Sequence, residues 1–123
     1  MKTSELTGAQ LDWAVAKSKG VAVEIRRHSS HPMLLIFERG DEYGPSYNWS
    51  QGGPIIDRKG ITVGPYHDKG ERVPNSWQAY AGWDHEEMES KFEQDGPTAL
   101  IAAMRCLVAS ELGDEVEIPK ELM

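Results

Sequence analysis

Gly96-Pro97-Thr98-Ala99-Leu100-Ile101-Ala102-Ala103-Met104-Arg105-Cys106-Leu107-Val108-Ala109-Ser110-Glu111-Leu112-Gly113 decides the fold of this 123-residue chain. Leu100, Ile101, Met104, Leu107, Val108 and Leu112 recur at helical spacing and make one broad apolar stripe. Pro97 fits the first helical position, where its missing N–H is not needed, and Gly113 fits the left-handed position just past the end. The back of this helix is not polar either: Ala99, Ala102, Cys106 and Ala109 follow at steps of three, four and three. A helix apolar on two faces is buried on two faces. The Leu/Ile/Met face is expected on a sheet. The small-residue face is expected against a second helix, either in this chain or in a second copy, as a homodimer.

Toward the N-terminus, Thr7-Gly8-Ala9-Gln10 has the form of a capping box, and a helix is expected from there to about Lys19, stopped by Gly20. Its alanines suit the small-residue face of the late helix. Val21, Val23 and Ile25 alternate with Ala22, Glu24 and Arg26, which predicts a strand over 21–27. Met33-Leu34-Leu35-Ile36-Phe37-Glu38 is a continuous apolar run that suits a second strand, paired with the first as a hairpin through the His28-Ser29-Ser30-His31-Pro32 turn. His28 and His31 form an HxxH with no third ligand at recognisable spacing, so no metal site is read there. The large/small alternation of Trp77-Gln78-Ala79-Tyr80-Ala81-Gly82-Trp83 predicts a strand over 77–82. Asp84 can cap toward Glu87, and Met88 and Phe92, four apart, predict a short acidic helix. Glu115-Val116-Glu117-Ile118-Pro119 reads as an extended tail ended by proline. These elements predict a single α+β domain over residues 1–123. Its two terminal helices would pack on one face of a small, mainly antiparallel β-sheet.

Between these elements, residues 40–76 are dense in glycine and proline and read as a long irregular loop. It holds Tyr43, Tyr47, Trp49 and Tyr66 around Asn48-Trp49-Ser50-Gln51-Gly52-Gly53-Pro54-Ile55-Ile56-Asp57. The Gly-Gly-Pro run can open backbone N–H groups around a small concavity, but the lysine and hydroxyl of a phosphate-binding loop are absent. Trp49, Ile55 and Ile56 are expected to cap the core. The candidate binding residues are Asn48, Trp49, Gln51 and Asp57, with Trp77 as a wall and Arg105 as an anion anchor.

Composition excludes some function classes and ranks others. Formal net charge is -7, and it is uneven: about +1 through Trp83 and about -8 from Asp84 onward, reckoned at neutral pH. Direct nucleic-acid binding is disfavoured, because it needs a basic footprint. The longest uncharged apolar run, residues 99–104, is far short of a membrane span, and the N-terminus shows no targeting core, so a cytoplasmic location is expected. The lone Cys106 sits among alanines and reads as a reduced, packed thiol. No cofactor and no metal is implied.

The opening Met1-Lys2-Thr3-Ser4-Glu5-Leu6-Thr7-Gly8 with Leu11-Asp12-Trp13-Ala14-Val15-Ala16 resembles the NinX-like family of lambdoid bacteriophages and enterobacterial prophages. So do the central Asn48-Trp49-Ser50-Gln51-Gly52-Gly53-Pro54-Ile55-Ile56 and the late Ala102-Ala103-Met104-Arg105-Cys106 with Val108-Ala109-Ser110 and Leu112-Gly113. The resemblance implies a small phage accessory protein made in the bacterial cytoplasm, and brings no catalytic residues to carry over. No nucleophile elbow, HExxH, CxxC or acid/base pair is present, which leans away from an enzyme. The leading expectation is a module that binds an unidentified protein partner through the aromatic-rich loop. A small-ligand domain or enzyme with its pocket near residues 48–57 comes second. An acidic decoy of a nucleic-acid-binding enzyme comes third.

Overall fold

The computed structural model describes residues 1–27, 29–30 and 33–123. His28, His31 and Pro32, on which the HxxH reading falls, lie outside the described residues. The chain is α+β. Among the described residues it forms three α-helices and two three-stranded antiparallel sheets rather than one sheet. Strands β1 (Glu24–Arg27), β2 (Leu34–Glu38) and β3 (Asp41–Glu42) make the first sheet in the order β1-β2-β3. The expected hairpin is there, with Ile25 opposite Ile36. Strands β4 (Thr62–Asp68), β5 (Glu71–Asp84) and β6 (Glu89–Gly96) make the second sheet, with β5 in the middle.

Helices α1 (Gly8–Lys19) and α3 (Ala99–Leu112) stand where the periodicity puts them. Their caps differ. Thr98 caps α3, its hydroxyl accepting from the Ile101 N–H at 3.2 Å, so Pro97 precedes the helix instead of opening it. Thr7 makes no side-chain cap on α1, and Gln10 instead donates to the Leu122 carbonyl at 2.7 Å, tying α1 to the C-terminal segment. The free box geometry yields to a long-range bond that fixes both chain ends. Lys2 bridges to Glu115, and the Thr3 N–H donates to the Asp114 carbonyl at 2.8 Å.

The small-residue face of α3 is used differently from the expectation. Its small-residue side meets the second sheet: the Cys106 thiol lies 3.8 Å from the Phe92 carbonyl, and Ala102 presses against Gly96 of β6. Leu100, on the large side, packs against helix α2 (Trp49–Lys59). Small side chains let the helix come close to the strands, and the bulky ones fill the wider gap between helices. The face that suggested a homodimer is thus covered within the chain. Helix α1 packs on α3 and β2, and the fully buried Leu11, Val15, Ile36, Met104, Leu107 and Val108 fill the core.

Two further elements correct the expectations. Residues 40–76 are not a loop, since they carry α2, β4 and the start of β5. The acidic segment after Asp84 is not a helix: the Asp84 carboxylate accepts from the N–H groups of Glu86 and Glu87, as expected of a cap, but it caps a hairpin turn, and β6 follows. In β6, Glu89, Lys91, Glu93 and Asp95 point to solvent while Ser90, Phe92 and Gln94 turn inward. Pairing with β5 exploits that two-residue period. None of the described helices is long and apolar enough to cross a membrane.

Cys106 is fully buried, and burial, then the charge of Glu93, pushes its thiol up to about 11. Iodoacetamide at pH 8 is expected to leave the native protein unlabelled and to alkylate one site in guanidinium chloride. Labelling of the native state at the unfolded rate would contradict this packing.

Candidate functional site

Helix α2 builds the site against poor local odds, with two glycines and a proline in eleven residues. Caps and packing offset that. The Asn48 side chain accepts from the Ser50 N–H at 3.0 Å and the Ser50 hydroxyl at 2.6 Å, and Gly60 closes the far end in the left-handed conformation. Gly52 is where α2 meets its neighbours: a Cβ there would lie 2.5 Å from the Pro45 carbonyl oxygen and 2.6 Å from a Leu100 methyl. Pro54 cannot donate to the Ser50 carbonyl, but Ser50 is exposed and water can serve it.

The segment leading into α2 is fixed by two side chains. Gln51 accepts from the Gly44 N–H at 2.6 Å and donates to the Glu42 carbonyl at 3.0 Å. Asp12 of α1, only 2% exposed, accepts from the Ser46 N–H at 2.8 Å. Burial dominates there and raises the Asp12 pKa to about 7, against the opposing hydrogen bonds from Ser46. Nearby, the buried Tyr43 hydroxyl has no hydrogen-bond partner among the described residues, and burial, then the charges of Glu38 and Asp12, push it up to about 12.

Held this way, Tyr47 and Trp49 stand at the rim of an open groove of about 600 Å³. Its other walls are Arg72, Asn75 and Trp77 of β5 and the first turn of α3. Trp49 is 57% exposed, so it does not cap the core; Ile55 is buried and does. The Arg72 guanidinium stacks on the Trp77 ring, 5.0 Å from its centroid, and takes part in none of the ion pairs among the described residues. The Tyr47 phenol is raised by burial, then by its hydrogen bond with Glu42, so it stays protonated at neutral pH. The groove combines flat aromatic surface, the Arg72 cation, and the polar Ser46, Asn75 and Thr98. That set can hold an extended apolar chain and meet a carboxylate.

Of the six residues singled out in the sequence, the structure brings Trp49 and Trp77 together. Asn48 and Gln51 support the site from behind through the bonds above. Asp57 is exposed on α2 and does not line the groove. Arg105 lies elsewhere, its Nε donating to the Leu6 carbonyl at 2.8 Å and its Nη1 to the Asp95 carbonyl at 2.9 Å, and burial lowers its pKa. Tyr47 was visible as one aromatic of the segment; Arg72 carried no local signal, because its place depends on the β4–β5 register shift between Pro65 and His67.

A family model described as "Bacteriophage P22, NinX" matches residues 2–111. No curated protein matches the chain.

Proposed function

Because this chain belongs to the bacteriophage P22 NinX family, we propose that it is a phage accessory protein that works in the host cytoplasm by holding an extended segment of another protein between Trp49 and Trp77. The observation that carries the reading is the convergence of two tryptophans, distant in sequence, on one groove with more than half of Trp49 left in solvent. Leaving that much aromatic surface wet is unfavourable for an isolated protein and favourable for one that covers it on binding. Arg72, stacked and without a carboxylate partner among the described residues, fits a segment that carries an acidic side chain beside its apolar anchor.

The test is a photo-crosslinking residue placed at Tyr47 in phage-infected cells. One discrete protein adduct is expected, and both Trp49→Ala and Arg72→Glu are expected to lose it. Trp49→Ala should leave stability within about 0.5 kcal/mol of the parent, as exposed substitutions do. An adduct indifferent to both substitutions would sink the reading. So would a melting temperature raised by small molecules that occupy the groove while no protein is captured.

A further inference from the structure

The second sheet, on which α3 packs, carries a separate trough of about 470 Å³ lined by Thr62, Tyr80, Trp83, Glu89, Ser90 and Glu93. None of these residues belongs to the Trp49–Trp77 groove. Trp83 is 52% exposed and is held in place: its Nε1 donates to Nδ1 of His85 at 3.2 Å, with the two rings edge to face. Gly82, with φ of 69°, lies within β5 between the buried Ala81 and the exposed Trp83. Glu93 is also oriented. Tyr80 donates to Gln78 at 2.7 Å, and Gln78 donates to the Glu93 carboxylate at 3.1 Å, so the three side chains form one hydrogen-bonded line. Glu86, Glu87, Glu89 and Asp95 take part in no ion pair among the described residues, and Lys91 is engaged with Asp84 at 3.7 Å. Met88, 70% exposed, stands at the tip of the same hairpin.

We propose that this trough is a second docking surface, which takes an arginine or lysine side chain from a basic segment of a partner protein between Trp83, Tyr80, Glu89 and Glu93. The aromatic rings supply faces for the cation and its aliphatic stem, and the carboxylates supply the counter-charge. Charge complementarity selects the occupant: the surface has a dense negative field and a pinned, solvent-exposed tryptophan, and neither suits an acidic or purely apolar partner. The burial of Tyr80, then the charges of Glu93 and Asp95, raise that phenol above its ordinary value, in keeping with a negative field over the trough.

The probe is an acetylated, amidated hexapeptide of alternating arginine and glycine, titrated into the full chain while the tryptophan indole N–H signals are followed by NMR. The Trp83 signal is expected to move while those of Trp13, Trp49 and Trp77 stay. Trp83→Ala and the double variant Glu89→Gln/Glu93→Gln should each weaken the peptide at least tenfold, and added salt should weaken it further. Trp49→Ala should leave this binding unchanged, so the trough and the groove stand or fall separately. Spermidine, a free polycation, should bind more weakly than the peptide. Wild-type affinity in Trp83→Ala, tighter binding of spermidine, or no shift at all would each overturn the proposal. If Trp83→Ala fails to fold, the carboxamide pair decides, and unchanged affinity there overturns it as well.

Discussion

Gly96→Ala is expected to lower the melting temperature by on the order of 12 °C, corresponding to about 3 kcal/mol, the upper end of what overpacking usually costs in a domain of this size. The added Cβ would sit 2.7 Å from the Ala102 amide nitrogen and 3.1 Å from its Cα. Both are backbone atoms, which cannot rotate aside as a side chain can. Relief requires α3 to move off β6, and α3 is the element on which β4, β5, β6, α1 and α2 all pack. The loss is therefore collective. Gly64→Ala in β4 is the control, because nothing lies within 4 Å of the position its Cβ would take; it should be neutral or slightly stabilising. Chemical denaturation of the two variants checks this, and equal stability of both would mean that the α3–β6 approach has slack.

Asp12→Asn is expected to remove a pH dependence and to make the protein more stable than the parent at pH 8. The Asp12 carboxyl binds its proton more tightly in the folded protein, with a pKa of about 7 against an ordinary 3.8. The folded state therefore carries more protons than the unfolded state between those values. Stability falls as pH rises through that window, and levels off above about 7. A shift of about three units corresponds to on the order of 4 kcal/mol, an upper figure for a buried carboxylate. Asparagine keeps an oxygen to accept the Ser46 N–H bond and cannot ionise, so the slope should disappear from urea unfolding curves taken between pH 5 and pH 8. Asp12→Ala should be worse than the parent at pH 5 by about 1–3 kcal/mol, because the buried Ser46 amide then loses its acceptor. If the parent and Asp12→Asn run parallel across the range, Asp12 is ionised in the native state without penalty. The consequence reaches the groove, since Ser46 lines it and precedes Tyr47.

How much of this was readable depends on where each element finds its stabilisation. Helix α3 and strand β1 declare themselves because their apolar residues repeat with the period of the structure they form, and β2 because its apolar run is continuous and short. Helix α2 does not, because Gly52, Gly53 and Pro54 lower its intrinsic propensity. The compensation comes from Leu100 and Pro45, which are remote in sequence or outside the helix. Strand β6 was ambiguous: Met88 and Phe92 share a helical spacing, while Glu89, Lys91, Glu93 and Asp95 share a strand spacing. Pairing along the fourteen-residue strand β5 decided between them. The same limit applies to the groove. Trp49 and Trp77 were recognisable as unusual residues, but Arg72 was not, since stacking on Trp77 requires a register shift that no local pattern encodes.

The sequence by itself determined the α+β class, the two long helices with their glycine stops, the first hairpin, the packed thiol and the acidic C-terminal third, because each rests on local periodicity, composition or a single residue's chemistry. Only the tertiary structure decided that the small face of α3 lies on the sheet, that a Gly-Gly-Pro segment is helical, and that two tryptophans and an arginine share one groove. Those outcomes depend on close approaches between segments far apart in the chain, where steric fit at Gly52 and Gly96 outweighs local preference.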